Sequence, residues 1–291
     1  MEQSQTEDQF TPGRLYRVTP RLARITAPNP GMMTGPGTNT WIVGDADRVV
    51  VDPGPDEEAH LQAVAEAGDG RIRAILITHA HPDHSPGARR LQAITDAPVM
   101  AHPNELQGIR DAELAADHAI DDGDRLDGDD FTLHCLHTPG HAADHLCFLL
   151  EQDRILIAGD QVMDGSTVVI SPPDGCMQDY LNSLRRLREL SLEAIAPGHG
   201  RLLRPPRDVL EAVIAHRLER ERMILELVSA GEAQIPELVG RIYTHVPEAL
   251  QRVAFGSVRA HLEKLRDEGR VTGDGHGPWR TANAGNGEEQ S

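Results

Sequence analysis

The chain has 291 residues, 39% of them hydrophobic, with 27 Gly and 20 Pro, a composition suited to a large buried core in one domain or in a large domain with a small companion. No apolar run approaches the roughly 18 residues of a membrane helix, and the first ten residues, from Met1 to Phe10, are acidic where a secretory or transit leader is cationic. The expectation is a cytoplasmic protein with no membrane partner. The net charge of -18 is uneven: residues 1–206 carry 17 arginines against 32 acidic side chains, whereas residues 207–271 hold 10 basic and 11 acidic groups. Such a surface repels polyanions and disfavours nucleic acid as a partner, although bound divalent metals would offset part of the charge locally. Cys135, Cys147 and Cys176 show no paired spacing and read as small buried hydrophobes, not as a disulfide framework or a thiolate metal site.

Short apolar runs bounded by Gly, Pro and Asp predict strands at residues 40–43, 48–52, 74–78, 98–101, 131–136, 145–150, 154–158 and 194–196. Residues 57–67 and 180–190 carry apolar side chains three and four apart and predict helices. This alternation is that of a layered α/β domain with several long sheets. Beyond Arg204-Pro-Pro206 the pattern changes, because residues 208–228 form one amphipathic helix with Leu210, Ile214, Ile224 and Val228 among its apolar positions. The segments 235–243, 247–268 and 271–281 then read as a helix, one or two helices and a short β turn, the order of a small winged-helix module. A boundary is expected at Pro206, separating residues 1–206 from 207–282, and residues 283–291 are poor enough in apolar groups to form a disordered tail.

The chemistry concentrates where predicted strands end. His79-Ala-His81-Pro-Asp83-His84 places four potential ligands within six positions as a strand gives way to a helix, an arrangement that can present ligand groups to two adjacent cations. Three later strand ends repeat the theme: His137-Thr-Pro-Gly-His141, Ala158-Gly-Asp160 and Pro197-Gly-His199-Gly200. Glycine beside a ligand allows close backbone approach. Each of these three is weak alone, but in this order and with the first cluster they form a consistent set.

These residues resemble the metallo-β-lactamase superfamily of dinuclear metallohydrolases over residues 38–200. The resemblance implies an αββα sandwich with metals at the ends of two facing sheets. It assigns His79, His81 and His141 to one metal, Asp83, His84 and His199 to the other, and Asp160 as the bridge, with Asp83 and Asp160 as the catalytic carboxylates. Asp52, in Val51-Asp-Pro-Gly54, matches an early Asp that orients ligands from behind, and it also suits a plain turn before Pro-Gly. A narrower resemblance, to the β-lactamase-like protein 2 branch, rests on residues 29–41, on His137-Thr-Pro-Gly-His-Ala-Ala-Asp-His145 and on the carboxy-terminal module. It implies a winged-helix appendix and members with single-stranded RNA endonuclease or acyl-thioesterase activity. His137 and His145 read as supporting or packing histidines, since the seven ligand places are filled without them.

Two divalent ions in such a site activate a water and polarise the substrate, so no protein nucleophile is needed. Imidazole and carboxylate without thiolate favour zinc, with iron and manganese also compatible. The substrate class expected first is a thioester, lactone or similar small acyl compound; RNA cleavage is the alternative, disfavoured by the acidity, by Lys264 being the single lysine and by only 3% aromatic residues. A winged-helix DNA-binding regulator is a third reading, weakened because Glu263, Asp267 and Glu268 interrupt the cations Arg252, Arg259, Lys264, Arg266 and Arg270. The module is expected to serve packing or homodimer formation beside the site. The sequence assigns no substrate-binding residue, although the Gly- and Met-rich loop 30–38 suits either a cover over the site or a plain hairpin tip.

Overall fold

The computed structural model describes residues 10–103, 111–231, 233–244, 248–275 and 277–282. The acidic start and the expected tail at 283–291 lie outside the described residues, apart from Phe10. Seven strands form one sheet in chain order: β1 (Leu15–Arg17), β2 (Leu22–Thr26), β3 (Asn39–Val43), β4 (Arg48–Val51), β5 (Ile72–Leu76), β6 (Val99–Ala101) and β7 (His118–Ala119). The first four are antiparallel and the last four parallel. A second sheet comprises β8 (Arg125–Asp127), β9 (Thr132–His137), β10 (Leu146–Leu150), β11 (Ile155–Gly159) and β12 (Ala194–Pro197), with β11 and β12 parallel and the others antiparallel.

The two-residue period of a strand decides how these sheets pack. Trp41, Val43, Val49 and Val51 of the first sheet meet Leu146, Phe148, Ile155 and Ile157 of the second in one central core. The intervening side chains point outward. Ile42, Val50 and Ile75 lie under α1 (Glu58–Gly68) and α2 (Gly87–Thr95), while Cys147, Leu156 and Ile195 lie under α3 (Met177–Arg188) and the start of α4 (Pro206–Ser229). The result is the expected αββα sandwich. Parallel strands buried on both faces explain why those runs are continuously apolar in sequence.

Helix α4 belongs to two cores. Its Leu210 and Ile214 pack on the second sheet's outer layer, whereas Ile224 and Val228 join α5 (Ile235–Ile242), α6 (Glu248–Asp267) and Trp279 in a separate cluster. A hairpin of β13 (Val271–Thr272) and β14 (Arg280–Thr281) completes the carboxy-terminal module. No described helix is long and apolar enough to cross a membrane.

The sequence patterns miss β1, β2, β7 and β8. Strand β2 is wholly buried, but Arg24 interrupts its apolar pattern; the guanidinium is accommodated over the rings of Phe10, Tyr16 and Trp41, with centroids at 4.4, 5.3 and 5.8 Å. The other three have two or three residues, too few to display a period. Cys135 and Cys147 are buried as expected. Cys176 is not: it is exposed, because it precedes α3 in an extended conformation with its N–H donating to Gly140 O at 2.9 Å.

His60 of α1 is fully enclosed, its Nε2 lying 2.9 Å from Thr40 Oγ1 and 3.1 Å from Pro53 O. Burial depresses its pKa from 6.5 to about 4, against the opposing effect of the Pro53 carbonyl. As the pH falls below 6.5 the unfolded chain therefore takes up a proton that the folded chain refuses, and stability is lost down to about 4. The full effect is about 3 kcal/mol. Urea unfolding of wild type and His60→Gln between pH 7 and pH 4 should show the shallower pH dependence in the variant.

Candidate metal centre

The strand ends converge on one edge of the sandwich. Asp52 follows β4, the His79 to His84 segment follows β5, His141 follows β9, Asp160 follows β11 and His199 follows β12. Bonds between the sheets hold that edge together: Leu146 N donates to Thr78 O at 2.7 Å, Asn39 N to Gly198 O at 2.7 Å, and Trp41 Nε1 to Pro197 O at 3.2 Å. Two glycines are needed for the closeness. A Cβ on Gly198 would sit 2.6 Å from Asp160 Oδ1 and 2.7 Å from a His84 ring carbon, and Gly159, at φ +44°, would press on Thr78 and His145.

All seven residues read as ligands come together. His79, His81 and His141 form one group, Asp83, His84 and His199 a second, and Asp160 lies with His79 and His84; within each group the ligand atoms are within 4.8 Å of one another. His81 Nδ1 approaches His141 Nε2 at 3.0 Å. Asp160 reaches both sides, with Oδ2 3.6 Å from His141 Nε2 and Oδ1 3.4 Å from the Nε2 atoms of both His84 and His199. Asp83 Oδ2 is 3.2 Å from His199 Nε2 and 3.6 Å from His84 Nε2.

Each ring is held by its outward nitrogen. His84 Nδ1 donates to Asp52 Oδ2 at 2.8 Å, His141 Nδ1 to Val169 O at 2.7 Å and His199 Nδ1 to Gly37 O at 3.3 Å. His79 Nδ1 donates to Thr78 Oγ1 at 2.9 Å, and that hydroxyl donates to Asp52 at 2.7 Å. His81 turns Nε2 toward Asp174, 3.5 Å away. The inward atoms are left over: His79 Nε2, His84 Nε2, His199 Nε2 and Asp160 Oδ1 are buried without a hydrogen-bond partner. Buried polar atoms left this way are costly unless something else satisfies them, and imidazole and carboxylate lone pairs converging on one space suit a cation.

Charge separates the two groups of ligands. Burial and neighbouring imidazoles push His79 well below 6.5, and burial with His81 pushes His141 to about 4. Burial acts the same way on His84 and His199, but carboxylates outweigh it. Asp83, Asp160 and Asp52 raise His84 well above 6.5, and Asp160 with Asp83 raises His199 to about 9.

Behind the ligands, Asp52 accepts from Thr78 N, Thr78 Oγ1 and His84 Nδ1. His145 is buried between Thr138 Oγ1, 2.9 Å from Nδ1, and Asp160 N, which donates to Nε2 at 3.2 Å. His137 stands apart, packed at 4.2 Å on His102 with Nε2 2.9 Å from Ala143 O. The sequence patterns did not reveal Thr78, Asp174 or the carbonyls of Gly37 and Val169. A backbone acceptor has no residue-type signal, and Asp174 in Pro-Pro-Asp-Gly reads only as a turn.

Residues 33–199 match the metallo-beta-lactamase superfamily and residues 235–279 the beta-lactamase associated winged helix domain. The chain belongs to the metallo-beta-lactamase superfamily and is a metal-dependent hydrolase. It is 30% identical to a beta-lactamase-like protein 2 homolog of Caenorhabditis elegans, over 88% of each chain. It is also 31% identical to an atrochrysone carboxyl ACP thioesterase of Aspergillus fumigatus, over 72% of this chain and 65% of that protein. In three dimensions it is similar to a beta-lactamase domain protein from Burkholderia ambifaria, with TM-score 0.79 and 20% identity, covering 94% and 95% of the two chains.

Asp52 has a left-handed backbone, φ +53°, that Asn tolerates better than Ala. Asp52→Ala should cost about 3 kcal/mol of metal-free stability by removing the counter-charge of a buried imidazole, and Asp52→Asn less. Urea unfolding in excess chelator measures both.

Proposed function

We propose that the chain hydrolyses a thioester, lactone or related small acyl substrate with two divalent metal ions. His79, His81 and His141 would hold one ion, Asp83, His84 and His199 the other, and Asp160 both. The observation that carries this reading is the set of buried, unpartnered ligand atoms facing one space. Their imidazole and carboxylate chemistry suits zinc, and iron or manganese would be accepted. Divalent metal held by these residues would supply an activated water and polarise the substrate carbonyl. Asp83 and Asp160 supply the compensating negative charge, while Asp52 and His145 orient His84 and the Asp160 backbone. Residues 1–206 act as the catalytic unit and residues 207–282 as its appendix.

The surroundings of the site favour an acyl substrate over RNA. A cavity of ≈ 610 Å³ opens on His81, Asp83, His141 and Asp160, and no Arg or Lys is among its described lining residues. Backbone phosphates need cations along their path. Two of the described cations of α6 are engaged elsewhere: Lys264 with Glu221 and Glu268 at 2.9 and 2.6 Å, and Arg259 with Glu263 at 2.8 Å. The same pairing leaves little for a DNA-reading helix. The thioesterase among the relatives agrees with the acyl reading. Single-stranded RNA cleavage is the second reading, which the sequence resemblance to the β-lactamase-like protein 2 branch implies.

Elemental analysis of zinc-reconstituted protein should find close to two ions per chain; one or none refutes the dinuclear site. Asp160→Ala should abolish turnover while leaving the circular dichroism spectrum nearly unchanged. Across a panel of acyl-CoA, acylglutathione, lactone and single-stranded RNA substrates, the best acyl compound should give the highest kcat/KM. Its value should change less than about threefold between low and physiological salt, where the Debye length is about 8 Å. RNA cleavage that disappears in Asp160→Ala, with no acyl hydrolysis, would establish the second reading instead.

A further inference from the structure

The cavity over the ligand cluster is built from both parts of the chain. On one rim the loop between β2 and β3 presents Met32 and Met33, 63% and 44% exposed, and on the other α6 presents Val253 and Gly256. Met163 and Val168 add apolar surface between the rims. Two adjacent methionines left in water contribute little to folding, whereas flexible thioether side chains conform readily to an apolar ligand.

The wall that joins these rims is fixed by the carboxy-terminal module. Arg217 Nη2, from the buried side of α4, donates to Val168 O at 2.5 Å. Ile170 N donates to Ser257 Oγ of α6 at 3.5 Å. A Cβ on Gly256 would lie 2.6 Å from Ser171 Oγ and 2.9 Å from its Cβ, so glycine lets α6 seat directly on this loop. Val169, in the middle of the same stretch, accepts the hydrogen bond from His141. The position of α6 thus sets the width of the cavity beside the ligands.

We propose that this cavity is an acyl-chain pocket. The substrate's carbonyl lies at the His and Asp cluster, and an apolar chain of several carbons runs between Met33 and Val253, making the winged-helix module a determinant of chain length. The proposal rests on the acyl-hydrolase reading above, and deepens it by naming the group recognised. The lining selects an uncharged chain: His81, Asp83, His141 and Asp160 form the floor, the rims are thioether and aliphatic, and no Arg or Lys is among the described lining residues.

The test uses straight-chain carboxylates, the products of such a hydrolysis, with full-length zinc-reconstituted protein. Isothermal calorimetry with acetate, hexanoate and decanoate should show affinity rising by about fourfold for each methylene that becomes buried. Val253→Phe should lower the decanoate-to-acetate affinity ratio at least tenfold. Met33→Ser, on an exposed loop and so independent of how α6 packs, should also lower it. Affinity that is flat along the series, or a ratio unchanged in Met33→Ser, overturns the pocket. Acetyl-, hexanoyl- and decanoyl-CoA then separate this proposal from the reading beneath it. If none is hydrolysed while the carboxylates keep their length dependence, the pocket stands and the thioesterase reading falls. If they are hydrolysed with the same chain-length profile in wild type and both variants, the pocket falls and the hydrolase reading stands.

Discussion

Three carboxylates, the buried Asp52 and Asp160 and the half-buried Asp83, gather at one edge of the sandwich with six imidazoles, and positive charge is what makes their crowding tolerable. In the metal-free chain that charge is borne by protons: His84 and His199, each facing at least two carboxylates, are pushed upward, while burial and neighbouring imidazoles push His79 and His141 down. Desolvated like charges cannot share so small a space uncompensated. The same pattern describes a centre built to exchange protons for cations, since metal ligands must be deprotonated to bind.

That concentration of ligands depends on the scaffold. No two of the strand ends that supply Asp52, His79, His141, Asp160 and His199 are continuous in sequence, and they meet because hydrogen bonds from Asn39, Trp41 and Leu146 tie one sheet's edge to the other's. Gly159 and Gly198 then remove the side chains that would hold the ligands apart. Outward hydrogen bonds orient each ring before any ion arrives, so little ordering remains to oppose binding.

The carboxy-terminal module is tied to this arrangement. Helix α4 spans two cores, and its Arg217 together with Ser257 of α6 clasps the stretch from Val168 to Ile170. The buried ion pair of Lys264 with Glu221 fastens α6 to α4. Lys264, one of the charges that in sequence suggest an interrupted nucleic-acid surface, is thus used inside the protein.

Much of the site was legible in the sequence, because metal-ligand chemistry confines itself to a few residue types and because ligands at strand ends come in short, glycine-flanked motifs. His79, His81, Asp83 and His84 stand out as one cluster, whereas the motifs of His141, Asp160 and His199 are weak alone and become candidates only in order with it, and the continuous apolar runs of the buried strands foretold the layered sheets. What the sequence could not contain was distance. Which carbonyl holds which ring, that β2 is a core strand despite Arg24, that Cys176 faces solvent, and that Val253 and Gly256 border the cavity all follow from contacts between residues far apart in the chain. Those contacts are made by backbone atoms, by van der Waals fit and by one buried cation over aromatic rings, none of which leaves a periodic or compositional mark.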